Sequence, residues 1–419
     1  MAKLLSHPLR VGWLLLACYT ASTAAAELTL EQALTAAERY SAELSANQHQ
    51  ANALQNMADS ALQLPDPKLN IGIENIPVQG NNGRRLTREG MTMERVGIMQ
   101  DYVSSSKRQR KADTLRAEAN RTAAGSATIR ARLQQQTAQA WLELALSQQT
   151  LKDAQTLVNE SERQIAAQHT GVASGSSPAT NVIDARLTLL AMQDRASEAQ
   201  RDVAIAQARL TQLTGQPEAS THGALPRFER LPAENQMLQQ AIKQHPEVVQ
   251  ASREADVAKA RSAQSEIAAI PDVGIEVYYG KRADGYEDLA GVMFTVDLPL
   301  FRSQRQDKDH AADVSRSMEA NDQLTLLLRD HQAQLNTLLA QYQAAQDQWQ
   351  RQQQQAIPLQ QQRLALQLAQ YRSGKSDLSS VLEARRALLD SRLGAGKAAR
   401  ELAQLWAALR YLTPQETAQ

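Results

Sequence analysis

The chain has 419 residues, and its composition differs from that of an ordinary globular protein. Aromatic residues make up only 4%, while alanine, glutamine, leucine, arginine and glutamate are abundant, which is typical of long helices and coiled coils. Lysine plus arginine and aspartate plus glutamate each number 45, so the charge balance argues against a polyanionic partner such as nucleic acid.

The N-terminus reads as an export signal. Lys3 and Arg10 precede the apolar stretch 11–17, and small residues follow as far as Ala26. The lone cysteine, Cys18, excludes an internal disulfide, but it ends a Leu-Leu-Ala-Cys run that resembles a bacterial lipoprotein signal. Two fates stay open: cleavage after Ala26, which we favour because a helical pattern begins directly afterwards, or lipidation of Cys18. No later stretch of about 18 apolar residues follows, so no transmembrane helix is predicted.

The first half predicts a helix, two strands and two further helices. Apolar residues at three- and four-residue spacings predict a helix over 28–64. Apolar residues then alternate with polar or small ones over 69–74, as in a half-buried strand, and a weaker strand candidate follows at 91–103. The stretch 105–168 has no proline and one glycine, which predicts a helix of roughly 95 Å. A turn at 170–177 leads into the last helix of this half.

The second half repeats this order. The predicted elements are helix 234–270 with an interruption near Pro246, strands 273–280 and 292–298, helix 302–371 with a kink at Pro358, a turn, and helix 377–412.

The two halves match residue by residue around their turns. The identical pairs are Ser174 and Ser373, Gly175 and Gly374, Ser177 and Ser376, Val182 and Val381, Ala185 and Ala384, Arg186 and Arg385, Leu189 and Leu388, and Leu190 and Leu389. A match this long indicates a duplicated unit of about 200 residues rather than a short solenoid repeat. The predicted organisation is a signal (1–26), a first unit (27–217), a connector (218–233), a second unit (234–414) and a tail (415–419), with strand pairs at 68–103 and 271–300 and turns at 170–177 and 371–377.

These lengths and patterns predict a tubular assembly. Two shorter helices stacked end to end match one long helix, so each half supplies two columns of about 100 Å. One strand face is apolar and the other contains Glu74, Glu276 and Asp297, as in a barrel wall with lipid outside and water inside. Four strands cannot close a barrel with a lumen, so several chains are expected to share one. Two alternatives stay open: ordinary β-hairpins packed on helices, and a dimeric coiled-coil rod.

Several segments have a counterpart in a known family. They are LTLEQAL after the signal, the strand pairs LPDPKLNIGIENIP…MTMERVGIMQ and PDVGIEVYYG…VMFTVDLPLFRSQRQ, and the tip motifs GxxxxxNVIDA and YxxGxxxxxSVLEA. In these the chain resembles the TolC-like outer-membrane factor family, the exit ducts of tripartite efflux pumps and type I secretion systems. The LPDPKL, MTMERVG and VDLPLF segments look most like the heavy-metal branch, which is associated with cobalt–zinc–cadmium and copper–silver pumps.

The resemblance implies a fold class and a set of partners. The fold is mainly α with a small β part: duplicated long-helix hairpins form a periplasmic α-barrel, and four strands per chain contribute to a trimeric 12-stranded transmembrane β-barrel. The implied partners are two further copies of the chain, outer-membrane lipid, a periplasmic adaptor and an inner-membrane RND-type pump in a Gram-negative bacterium. Neither a cofactor nor nucleic acid is expected.

The resemblance also implies a gate near the hairpin tips, where rings of side chains close the family's periplasmic entrance. The matching positions are Asn181, Asp184, Tyr371, Ser380 and Glu383. Three copies of an acidic residue around a narrow axis would attract cations, and crowding would raise their pKa values. Ser380 and Asn181 stand where the family often has carboxylates, which weakens the charged gate. Alternatively, Asp184 and Glu383 are solvated charges on a helix surface.

The tips themselves are candidate contacts for the adaptor. The residues concerned are Ser174, Gly175, Ser176, Ser373, Gly374 and Lys375. Glycine permits a tight turn, and plain loop geometry explains the two glycines equally well.

No catalytic or metal-binding motif is apparent. The seven histidines have no ligand spacing, and with Cys18 in the signal no tight zinc or copper site is predicted. Phosphate-binding and nucleophile motifs are missing as well, so no enzymatic activity is expected. The predicted function is the outer-membrane channel of a tripartite RND-type efflux system, a passive duct for heavy-metal cations. The alternatives are a duct for drugs or type I secreted polypeptides, and a periplasmic coiled-coil adaptor or structural rod.

Overall fold

The structure is a computed structural model that describes residues 27–81, 83–86, 88–173, 179–217, 219–283 and 285–414, without the side chains of 167–173 and 179–181. The predicted signal with Cys18, the tip residues Ser174, Gly175 and Ser176, and the tail lie outside the described residues.

Helices make up most of the described chain. They are α1 (Leu30–Tyr40), α2 (Ala42–Ala61), α3 (Ser105–Ala173), α4 (Ala179–Thr214), α5 (Asn235–Ile242), α6 (Pro246–Glu266), α7 (Gln306–Arg351), α8 (Ile357–Arg372) and α9 (Leu378–Arg410). The strands are β1 (Glu27–Leu28), β2 (Lys68–Glu74), β3 (Met93–Tyr102), β4 (Ser220–Thr221), β5 (Val273–Arg282) and β6 (Leu289–Val296). The prediction of a mainly α chain with a small β part is confirmed.

The long helices form the predicted columns. Helix α3 has 69 residues, or roughly 100 Å, and packs against both α2 and α4. Helix α4 ends against α1, where Gly215 at φ +67° lies so close to the Tyr40 ring that a Cβ there would be 2.5 Å from a ring carbon. The glycine therefore lets the end of α4 pack closely against the end of α1.

Three of the predicted helical stretches are interrupted, one of them between α5 and α6 near Pro246 as predicted. The single helix predicted over 28–64 is wrong, because the chain breaks at Ser41. Ser41 is extended (ψ 103°), and its hydroxyl accepts the Leu44 N–H at 3.3 Å, which caps α2. The predicted kink near Pro358 coincides with a π-helical turn, Gln352–Ala356, directly before α8. Proline lacks an N–H for the regular helical bond, and the wider turn accommodates this loss.

The hydrophobic core lies where α3, α4, α7 and α9 meet. Trp141 lies at the centre of this core and is 1% exposed. Its indole Nε1–H donates to the Leu28 carbonyl at 2.8 Å. The buried Tyr342 hydroxyl donates to the Phe228 carbonyl at 2.9 Å. These two bonds fix the start of the described chain and the connector to the helical columns. The same two segments pair as the short parallel strands β1 and β4, which the sequence did not predict.

The other four strands form one antiparallel sheet in the order β2-β3-β5-β6. The two predicted strand pairs thus join through β3 and β5. Ile98 lies opposite Leu69 on one side and Val277 on the other, so the apolar rows align across the sheet. Among the helices that the structure describes, none is both long and apolar enough to cross a membrane.

Candidate functional site

One face of the four-stranded sheet is an apolar surface. Strand register places on it the apolar residues Leu69, Ile71, Ile73, Val96, Ile98, Val273, Ile275, Val277, Tyr279, Val292, Phe294 and Val296, and also the polar residues Glu94, Gln100 and Lys281. The side chains of Ile71 and Phe294 are 74% and 67% exposed, and no described residue covers either. A contiguous apolar surface of this kind marks contact with lipid or with another apolar surface. We call it the apolar face.

The opposite face is polar and centres on Arg95 in β3. Its guanidinium lies 2.7 Å from a Glu74 carboxylate oxygen on β2 and 2.9 Å from a Glu276 oxygen on β5. Asn70 donates to the other Glu276 oxygen at 3.0 Å, and the Arg95 guanidinium stacks on the Tyr278 ring at 3.9 Å. One charged network therefore connects three neighbouring strands on a largely shielded surface. Its two carboxylates and one guanidinium leave it with one excess negative charge.

Gly97 explains why this network fits within the sheet. A Cβ at Gly97 would lie 2.7 Å from Glu276 Oε1, so the missing side chain leaves room for the carboxylate. The alternation of apolar and polar residues in the sequence assigned Glu74 and Glu276 to the polar face. It did not reveal Arg95, because the alternation is weaker in that strand.

The third acidic position, Asp297, lies outside the network. It follows the end of β6, is exposed, and donates its backbone N–H to the Asp272 carbonyl at 3.0 Å. The Asp272 carboxylate in turn binds Lys107 Nζ at 2.9 Å. This pair lies where the sheet joins the first turn of α3, so polar contacts continue from the sheet to the helices.

The second hairpin tip is a tight, well-bonded turn. Gly374 has φ +70°, its N–H donates to the Tyr371 carbonyl at 3.0 Å, and Lys375 N–H donates to the Gln370 carbonyl at 2.9 Å. Ser373 and Lys375 are exposed beside it. The predicted adaptor-contact residues of this tip thus lie together at the surface.

Asp377 caps helix α9. Its carboxylate accepts the Ser380 hydroxyl at 2.7 Å and the Ser380 N–H at 2.9 Å. The Ser380 hydroxyl first, and then its N–H, hold the pKa of Asp377 below the ordinary value. The side chain of Ser380, a predicted gate residue, therefore stabilises the helix start within one chain.

The remaining gate positions differ in their surroundings. Tyr371 is half-buried against the small cluster of Ile165, Ala185, Leu378 and Leu382, and burial raises its pKa. Asp184 and Glu383 are exposed on α4 and α9, and the side chain of Asn181 lies outside the described set. The two carboxylates thus face solvent in a single chain, which suits both a ring in an assembly and an isolated surface charge.

A buried arginine near the gate was not predicted. Arg385 is 9% exposed, and neither its Nε nor its Nη1 has a hydrogen-bond partner among the described residues. Burial lowers its pKa, and Glu160 opposes this effect. Its counterpart in the first half, Arg186, is exposed. The duplicated residue therefore has a different environment in each copy.

The chain was compared with known proteins. No protein-family model and no curated protein matches it. It is similar to a structure of CusC that concerns folding and transmembrane channel formation, with 17% identity, a TM-score of 0.70 and 92% of each chain covered. It is similar to the outer membrane protein VceC from Vibrio cholerae, with 17% identity, a TM-score of 0.70, and 91% of this chain and 95% of VceC covered.

A third similar structure is the CmeC outer membrane channel of Campylobacter jejuni, with 13% identity, a TM-score of 0.70, and 93% of this chain and 87% of CmeC covered. At these identities the comparison shows a shared fold along almost the whole chain.

Proposed function

We propose that this chain is one subunit of an outer-membrane channel that serves as the passive exit duct of a tripartite efflux system. The sheet is the observation that supports this most directly. Its apolar face is uncovered, while its polar face contains the Arg95 network. A wall between lipid and water requires this distribution, and a soluble sheet packed on its own core would show the reverse.

The proposed assembly is a homotrimer. Within the described chain, β2 and β6 are each paired on one side only. Lipid does not tolerate open sheet edges, so both edges need further strands. Strands β3 and β5 have 10 residues each, which matches the 9 to 11 or so of a tilted membrane strand. Three chains would supply 12 strands around a lumen lined by Glu74, Glu276 and Asp297.

The helices would continue this barrel as a periplasmic tunnel in a Gram-negative bacterium. The fold shared with outer-membrane channels over more than nine-tenths of the chain supports this placement. A duct of this kind performs no chemistry, so an inner-membrane RND-type pump would supply the energy. A periplasmic adaptor would connect pump and duct at the tips, through Ser174, Gly175, Ser176, Ser373, Gly374 and Lys375.

The tips would also form the gate. In a trimer, the exposed Asp184 and Glu383 would each occur three times around the axis, and an acidic ring concentrates cations. Tyr371 would narrow the opening, and Ser380 and Asn181 would add uncharged polar groups. These roles rest on the match with the family's tip motifs.

Heavy-metal cations are the proposed cargo. The support is the resemblance of the LPDPKL, MTMERVG and VDLPLF segments to the heavy-metal branch. Drugs or type I secreted polypeptides are the alternative cargo. The other class considered, a periplasmic adaptor or a structural rod, fits the uncovered apolar face less well.

Two experiments test function and cargo separately. Purified protein in a planar bilayer should give stable conductance steps. The absence of any conductance over the whole range of applied voltages would contradict the proposed duct. A deletion strain should become sensitive to cobalt, zinc, cadmium, copper or silver salts, and the wild-type gene should restore its tolerance. Sensitivity to hydrophobic drugs alone would overturn the metal cargo and leave the duct intact.

A further inference from the structure

Three potential metal ligands converge where α6 begins beside α7. His245 directly precedes α6, Glu247 lies in its first turn, and His331 lies within α7. One ligand atom from each residue lies within 4.8 Å of the other two. Sequence spacing did not reveal this group, because His331 belongs to a different helix.

The contacts within this group are not those of an ordinary ion pair. His331 Nε2 lies 3.0 Å from a Glu247 carboxylate oxygen, yet among the described residues this buried nitrogen has no partner with hydrogen-bond geometry. Nitrogen and oxygen are thus close without pointing at each other, as two ligands of one ion do. The separation also suits two ligands bound about 2.0–2.2 Å from a shared metal.

The two imidazoles are packed against each other. Their ring centroids lie 4.0 Å apart at a tilt of 34°. Burial first, and then the neighbouring His331 ring, lower the pKa of His245 to about 4. Neutral imidazole is the form that binds metal ions. Glu247 is half-exposed, so an ion can reach the group from solvent.

We propose that His245, Glu247 and His331 bind one divalent transition-metal ion of the zinc, cobalt, nickel or copper type. Two imidazoles and a carboxylate are a donor set that these ions accept, and three protein ligands leave a position for water. Calcium and magnesium are disfavoured, because both prefer oxygen ligands alone. The bound ion would join the start of α6 to the middle of α7.

This site does not depend on the proposed function. A metal-binding chain that conducts nothing would refute the duct and keep the site, and a conducting chain that binds no metal would do the opposite.

The test is titration of tag-free, detergent-purified protein with cobalt chloride, followed by displacement with zinc chloride, with magnesium chloride as the hard-ion comparison. The wild type should bind one cobalt ion per chain and release it to zinc. Glu247→Gln and His245→Asn should each weaken binding at least tenfold. Asparagine can replace the capping role of His245, whose Nδ1 accepts the Glu247 N–H at 3.3 Å, and therefore preserves the helix start.

The chain provides a matched control. His222 lies 3.5 Å from Glu27, and no second histidine of the described chain joins this pair, so His222→Asn should bind cobalt as the wild type does. His331→Gln should abolish binding, and the helical circular dichroism of this variant shows whether the fold is kept.

Absence of cobalt and zinc binding by the wild type at millimolar concentration would overturn the proposal. Undiminished binding by both Glu247→Gln and His245→Asn would overturn it as well.

Discussion

The helical columns and the sheet bury opposite kinds of residue. In the columns, Trp141 and its apolar neighbours lie inside, and most charged residues lie outside, with Arg385 as a buried exception. In the sheet, Ile71 and Phe294 are exposed, while Arg95 and Glu276 are shielded. This difference fits the proposed duct, in which the sheet contacts lipid and the columns contact water.

The columns depend on their core, so the largest effect is expected there. Trp141→Ala should lower the free energy of unfolding by about 3–5 kcal/mol, because a large cavity forms and the bond to the Leu28 carbonyl is lost. Denaturant unfolding followed by circular dichroism measures this change. Leu326→Ala, on a residue that is 57% exposed in α7, should change stability by less than about 0.5 kcal/mol. Equal effects of the two substitutions would contradict the proposed core.

The sheet should respond to charge on one face only. Val292→Arg places a cation on the apolar face, which costs about 2–4 kcal/mol at the middle of a bilayer. Recovery from the outer-membrane fraction should fall sharply. The neighbouring Met293→Arg, on the polar face, should leave recovery close to that of the wild type. If both variants are recovered equally, the apolar face does not contact lipid.

Two glycines, one at the second tip and one within α9, should respond to substitution with opposite signs. A Cβ at Gly374 or Gly394 would meet no atom within 4 Å, so backbone conformation decides the outcome. Gly374→Ala should destabilise by about 1–2 kcal/mol because its φ is +70°. Gly394→Ala, within α9, should stabilise by about 0.5–1 kcal/mol. Thermal unfolding of the two variants measures the difference, and the same sign for both would contradict the described turn.

The smallest effect on stability is expected at the gate. Glu383→Gln should leave unfolding unchanged, because this side chain is exposed, but it should reduce the preference for cations in bilayer recordings. The control is Glu401→Gln, an exposed glutamate near the other end of α9. Identical reversal potentials for the two variants would show that Glu383 is a solvated surface charge.

The regular elements could be predicted from the sequence because their periods are strong. Val292, Phe294 and Val296 alternate over a whole strand, and the start of α3 at Ser105 follows from a long stretch without proline. By contrast, β1 and β4 have two residues each, which is too short for any period. The break at Ser41 depends on one capping bond, which a serine among many polar residues does not reveal.

The sites were predicted less well because they depend on tertiary neighbours. Glu74 and Glu276 could be assigned to one face, but their link through Arg95 requires the order β2-β3-β5. Arg186 and Arg385 match in the repeat, yet only packing distinguishes the exposed residue from the buried one. His245 and His331 come together only because α6 packs along α7.

The number of chains in the membrane-extracted complex tests the central claim most directly. Light scattering coupled to size exclusion in detergent, with the detergent mass subtracted, gives this number. We expect three chains in a complex from the outer-membrane fraction that separates on heating, because the resemblance implies a barrel of 12 strands and each chain supplies four. A monomer or dimer that remains in the aqueous fraction without detergent would contradict the shared barrel and the duct.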